Sequence, residues 1–281
     1  MRGLFFLTTV RTSTLNLPLL IKAAFDPYIS VQKREDVIPP GWDFRDYLEY
    51  MKQWMQESQK IAEVVALRKA GYNPKINGDG AQIVGIMEES AAIGKLKPGD
   101  IIKKVNDVPT NIAEEVISKV TSHKVGDIVE LEILRDGKII KVDVPTIENP
   151  SEEGKAFIGV YITTLNWRPE LPLKIDIDTG QIGGPSAGSM FVMEILNQLS
   201  DEDLTKGHKI AGTGTINLEE KIGRIGGIQQ KVVAAYKAGA EIFFAPEENY
   251  EDALKAAQGL NIKVVPVKEL DDMIEYLKNL K

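Results

Sequence analysis

The sequence predicts a two-domain protein, an α+β unit followed by an open α/β sheet, with a strand and a long helix ahead of both. Three observations support this. From about Ala156 to Lys281, strand-like runs rich in Val, Ile and Phe alternate with helical runs, the pattern of an open α/β sheet. A shorter stretch, from about Ala81 to Ile147, packs strands, one helix and a hairpin into compact order. Breaks rich in Gly, Pro and polar residues ("REDVIPPGWD", "GYNPKINGDG", "IENPSEEGK") separate the parts and place boundaries at 1–74, 75–148 and 149–281.

The elements follow in order. "LFFLTTV" is β-branched and aromatic and suits a strand. "LNLPLLIKAAF" is a short helix. From Asp43 to about Ala70, Phe44, Leu48, Met51, Met55, Ile61 and Val65 recur near the 3.6-residue period of a helix. "AQIVGIM" and "DIIKKVND" are strands around a short helix and turn in "SAAIGKLKPGD". The helix "NIAEEVISKVTSH" precedes the hairpin "DIVELEILRDGKIIKVDVPTI", turned at Asp136-Gly137. The second domain has strands "AFIGVYI", "LKIDIDT", "KIAGTGTIN", "EIFFAP" and "IKVVPV". Its helices span about 186–199, 228–238, 249–258 and 269–279.

Composition narrows the function. The 281 residues, 43% apolar and 27% charged, have the make-up of a soluble globular protein. A net charge of -7 without a dense Lys/Arg cluster argues against nucleic acid as a partner. Cysteine is absent, which removes disulfides, thiolate metal sites and a Cys nucleophile together. No run approaches the roughly 20 apolar residues needed to span a bilayer. "MRGLFFLTTVRTST" is too short in its apolar part, and broken by Arg11, to be a signal peptide. A strand at the first residues suggests that further chain precedes them.

The stretch "IGGPSAG" (182–188) stands where a strand hands over to a helix. Ser186 reads either as a capping or turn serine or as a nucleophile. In the second reading, unpaired N–H groups at the helix start face an oxyanion. A nucleophilic serine needs a base. His123 and His208 are the only histidines, and both fall in polar loops without an evident carboxylate partner. Lysine serves as base where its surroundings keep it neutral. In "GIQQKVVAAYKAGA", Lys231 flanks the apolar stripe of Ile228, Val232 and Ala235, whereas Lys237 lies on the opposite face. The plainer reading of Lys231 is a snorkelling side chain.

Two resemblances join these pieces. "ESAAIGKLKPGDIIKKVND" resembles PDZ domains, which implies a peptide groove between a strand edge and the helix near Ala113 to Val120, used by strand addition. "INGDG" is the one candidate for that family's carboxylate-binding loop, and a plain domain without a ligand is the other reading. "GGPSAG" with "GTGTINLEEKIGRIGGIQQKVVAAYKAGAEIFFAPEEN" resembles the proteolytic domain of Lon-family serine proteases over roughly residues 156 to 270. That resemblance implies Ser186 as nucleophile, Lys231 as its base and Thr213 as the residue that positions the lysine. Gly184, Pro185 and Ala187 would frame the oxyanion. This chain departs from the cytoplasmic Lon pattern at Gly183, where an acidic residue is usual, and at Thr215, where Glu is usual. It also has no "GxxxxGK[ST]" phosphate loop.

A PDZ-like unit ahead of a Lon-like unit resembles the membrane-anchored, ATP-independent PDZ/Lon-like proteases of Gram-positive bacteria. The resemblance implies a preceding transmembrane helix, a catalytic part facing the extracytoplasmic side and peptides or unfolded segments as substrates. It implies no cofactor and no metal, and leaves homo-oligomerisation open. The rival readings are a non-catalytic peptide-binding scaffold on the same fold and a Ser/Lys amidase or signal-peptidase-like enzyme.

Overall fold

The computed structural model describes residues 3–26, 28–34, 37–39, 41–150 and 152–280. Glu35, Asp36 and Pro40 of the first break and Ser151 of the linker lie outside them. The chain divides into two compact units. One takes Met1–Arg34, Leu48–Pro74 and Leu171–Lys281, the other Glu35–Tyr47 and Lys75–Glu170. The elements run β1 (Leu4–Leu7), α1 (Leu17–Phe25), α2 (Phe44–Lys69), β2 (Ala81–Ile86), β3 (Ile101–Val105), β4 (Val108–Pro109) and α3 (Ala113–Thr121). There follow β5 (Ile128–Arg135), β6 (Lys138–Pro145), β7 (Ile147–Asn149), β8 (Glu152–Phe157), β9 (Val160–Thr164) and α4 (Gly188–Leu199). The chain ends with β10 (Lys209–Gly212), β11 (Thr215–Ile216), β12 (Ile222–Gly223), α5 (Ile228–Lys237), β13 (Ile242–Pro246), α6 (Tyr250–Ala257), β14 (Lys263–Val267) and α7 (Leu270–Lys278).

The unit of Lys75–Glu170 is an antiparallel sheet of order β6-β5-β3-β2-β9 with α3 against it. Its β5–β6 hairpin turns at Asp136 and Gly137, both at positive φ, as a two-residue turn of matching twist requires. Asp100, the acid of "KPGD", is fully buried. Arg135 Nε and Nη2 donate to its two oxygens at 2.7 and 2.6 Å, and Lys97 N–H adds a third bond. "SAAIGKLKPGD" forms turns rather than a short helix.

The boundary expected at 149 falls instead at Leu171. "IENPSEEGK", polar enough to read as a linker, contributes to the β7–β8 hairpin, in which Ile147 pairs with Phe157 and Glu148 with Ala156. "AFIGVYI" continues into β9, which pairs with β2 (Ile83 with Ile162) and buries Ile158 and Ile162 in this unit's core. "INGDG" is engaged by backbone: Asp79 N–H donates to Leu165 O and Gly80 N–H to Asn111 O. The loop that leads into the last strand of the sheet is Ile158–Gly159. Its Ile158 carbonyl accepts from Ser90 Oγ at 2.8 Å, and Gly159, at φ +75°, has no room for a Cβ beside Ser90.

The other unit is a parallel sheet of order β1-β10-β13-β14 with helices on both faces. Alternate strand residues point to opposite sides. Ile210, Ile242, Phe244, Val265 and Val267 join the α2, α4 and α7 side chains in one core, while Ala211, Phe243, Ala245 and Val264 join those of α5 and α6 in another. Parallel sheets are covered on both faces, and these strands are accordingly apolar on both. The long helix contributes Met55, Ile61, Ala62, Val65 and Ala66 to the first core, and this is the work of its buried stripe. "LKIDIDT" alternates half-buried Leu173, Ile175 and Ile177 with exposed Lys174, Asp176 and Asp178, yet it forms no ladder among the described residues. It is an extended segment leading to Ser186.

Candidate active site

Ser186 sits in the turn between that segment and α4. Gly184 takes φ +86°, a left-handed conformation that glycine adopts without cost. At Gly183 a Cβ would lie 3.0 Å from Met51 Cβ and 3.3 Å from the Met51 carbonyl carbon, so the acidic residue usual there would press into α2. The cap residue of α4 is Ala187, without a side-chain cap bond. The Ser186 hydroxyl therefore has another partner.

That partner is Lys231, whose Nζ donates to Ser186 Oγ at 2.7 Å and to Thr213 Oγ1 at 2.8 Å. Thr213 Oγ1 in turn donates to Ser186 O at 2.8 Å. Lys231 is 3% exposed, and burial pulls its pKa down from 10.5 to about 8. The lysine arrives there because α5 turns Ile228, Val232 and Ala235 into the core and carries Lys231 on the same side. Lys237 is exposed, with its ammonium over the Tyr28 ring. Of the histidines, His123 bonds Asn106 and Lys119 O. His208 has a carboxylate partner after all, Glu241 at 2.7 Å.

The residues read as framing the oxyanion divide. The Gly184 N–H is taken by Met51 O at 2.7 Å, and Pro185 has no N–H. Among the described residues no acceptor engages the N–H of Ser186 or of Ala187, which leaves these two donors at the helix start. Thr215 pairs with Gly223 across β11–β12.

Three contributors escaped sequence reasoning. Ser58 Oγ on α2 donates to Pro185 O at 3.1 Å. Gln59 Nε2 donates to Ile177 O and Thr179 Oγ1, tying the extended segment to the same helix. Asn249, buried, accepts from Ile225 N–H at 2.9 Å and donates to Ile225 O at 3.1 Å, pinning the chain three residues before α5. The available signal was a polar residue at a position where the helical stripe calls for an apolar one, as at Ser58 between Met55 and Ala62.

Comparisons with known proteins bear on both units. Residues 171–279 match the Lon protease (S16) C-terminal proteolytic domain, and residues 59–146 match the PDZ domain. The Lon protease of Trichlorobacter lovleyi is 34% identical over 115 residues, covering 39% of this chain and 14% of that protein. The Lon protease of Mycoplasma pneumoniae is 30% identical over 142 residues, 48% of this chain and 18% of that protein. The chain thus spans less than a fifth of the length of these relatives. Among solved structures, the PDZ domain of an SdrC-like protein from Listeria monocytogenes is 24% identical, covering 31% of this chain and 92% of that one, with a TM-score of 0.29. The chain carries a proteolytic domain of the Lon type and, between two of its segments in sequence, a PDZ domain.

Proposed function

We propose that this protein is an ATP-independent serine endopeptidase with Ser186 as nucleophile and Lys231 as general base. The observation that carries the reading is the Ser186–Lys231–Thr213 triangle around a buried lysine. Once Lys231 is neutral, its lone pair accepts the Ser186 proton while one N–H stays on Thr213. Ser186 Oγ then attacks the scissile carbonyl, and the resulting ammonium protonates the leaving amine. Water then enters the acyl-enzyme by the same base and releases the acid. The N–H groups of Ser186 and Ala187 are the donors for the oxyanion. Each donor of this kind is worth about 3 kcal/mol.

On the resemblance to the ATP-independent PDZ/Lon-like proteases, the substrate is a flexible peptide or unfolded segment. The extended 173–179 segment offers backbone for strand addition. The PDZ unit recruits such chains between β9 and α3, with Ile158–Gly159 as its carboxylate loop. On the resemblance given above, the protein is tethered by a membrane helix and works on the extracytoplasmic side. Among the described residues no helix is long and apolar enough to cross a membrane. Hydrolysis of an unstructured protein and of fluorogenic peptides without ATP tests the reading. Ser186→Ala and Lys231→Ala should each abolish it. Peptide affinity without turnover in the wild type would leave the scaffold reading in its place.

A further inference from the structure

We propose that Ser58 of α2 is a positioning residue that aims the Ser186 N–H at the oxyanion by gripping the Pro185 carbonyl; this rests on the proteolytic reading above. A trans peptide unit is planar, and its C=O and N–H point in opposite directions. Whatever holds the Pro185 carbonyl therefore sets the direction of the Ser186 N–H. Whatever holds the Ser186 carbonyl sets the direction of the Ala187 N–H. Ser58 Oγ holds the first at 3.1 Å, with Gly188 N–H on the same oxygen at 3.2 Å. Thr213 Oγ1 and Gly214 N–H hold the second, each at 2.8 Å. These are the two N–H groups left to an oxyanion once Met51 O has taken that of Gly184.

The setting of Ser58 is that of a built contact. It is 3% exposed and lies on the stripe of Met51, Met55, Ala62 and Val65, where an apolar side chain would pack without a polar atom to satisfy. It faces the first residue of α4 so closely that a Cβ on Gly188 would stand 2.8 Å from its Oγ. The helix that carries it also holds Gly184 through the Met51 carbonyl and the approach segment through Gln59. Ser58 touches no reacting atom. It acts through one peptide plane.

The test is kinetic, on the full chain, with a fluorogenic peptide and a peptide boronate whose tetrahedral adduct on Ser186 carries the oxyanion. Ser58→Ala should lower kcat by about 10- to 100-fold, less than outright removal of a donor, which costs about 100- to 1,000-fold. KM and the pH limb set by Lys231 should stay put. Boronate affinity should fall by the same factor as kcat/KM. Ser58→Cys, close in size and a weak donor, carries the same expectation should the alanine variant not fold. Wild-type kcat in a folded variant, a kcat loss with unchanged boronate affinity, or a loss that only tracks melting would overturn the assignment. An inactive wild type would instead remove the proteolytic reading itself.

Discussion

Replacing Lys231 by Met should make the protein more stable at neutral pH while abolishing turnover. Burial holds the lysine at about 8 instead of 10.5, and that difference amounts to about 3 kcal/mol against the native state wherever the side chain is charged in both states. Met keeps the unbranched stem and discards the charge. It also discards the bonds to Ser186 and Thr213, each worth about 1 kcal/mol, so the net gain at pH 6.5 is about 1–2 kcal/mol. The sign with pH follows from linkage. Between about 8 and 10.5 the unfolded chain holds a proton that the native lysine has lost, so wild-type stability rises through this window. The advantage of the variant should shrink over the same range and be gone by about pH 10. Urea unfolding at pH 6.5 and 9.5 measures this, with Trp54 of α2 reporting in a background of Trp42→Phe and Trp167→Phe. A variant no more stable than wild type at pH 6.5, or a gap that does not narrow with pH, would refute the idea that the fold holds this lysine against its charge.

The same lysine predicts a kcat/KM that climbs to a plateau with a midpoint near 8. Lys231→Arg, whose guanidinium does not give up its proton, should be inactive at every pH assayed. Asn249→Ala strands the buried N–H and C=O of Ile225. It should cost about 2–4 kcal/mol in unfolding experiments and lower kcat more than KM, because α5 loses the anchor before Lys231. In the PDZ unit, burial pushes the Asp100 carboxyl up, but the hydrogen bonds from Arg135 and Lys97 outweigh it and leave its pKa below the ordinary range. That unit should therefore lose stability as acid reaches this carboxyl. Arg135→Leu should cost about 3–5 kcal/mol by leaving the buried charge with the Lys97 N–H but no counter-ion, read from Trp167 fluorescence on the intact chain.

How far the sequence could be read depended on whether a feature is local. The helix of Lys231 announced its inner face through Ile228, Val232 and Ala235, and the structure places the lysine in the core on that face. The glycines around Pro185 marked a special turn. What failed depended on partners distant in sequence. The alternation of Leu173, Ile175 and Ile177 encodes which side faces the core, but not whether a neighbouring strand exists. The polar run from Glu148 to Lys155 has a linker's composition. Its fold depends on Phe157 and Ala156 returning to pair with Ile147 and Glu148. Ser58 was hidden for a similar reason, because a helix wheel shows a misplaced hydroxyl without showing the carbonyl it serves.

The discontinuity of the proteolytic unit has a consequence for the protein's own synthesis. Its first strand waits for β10, and Thr8 meets its acceptor on Gly212 204 residues later in the chain. The PDZ sheet, by contrast, closes almost entirely on residues between Lys75 and Glu170. A ribosome therefore releases a chain whose middle can fold while both ends of the hydrolytic unit stay open. Closing so long a loop is slow relative to local pairing. Lys231 and the strand beside its helix emerge well after Ser186, and the Asn249 anchor later still. Until they do, the proposed nucleophile has no base, and on that reading a nascent or truncated copy carries the serine without its chemistry.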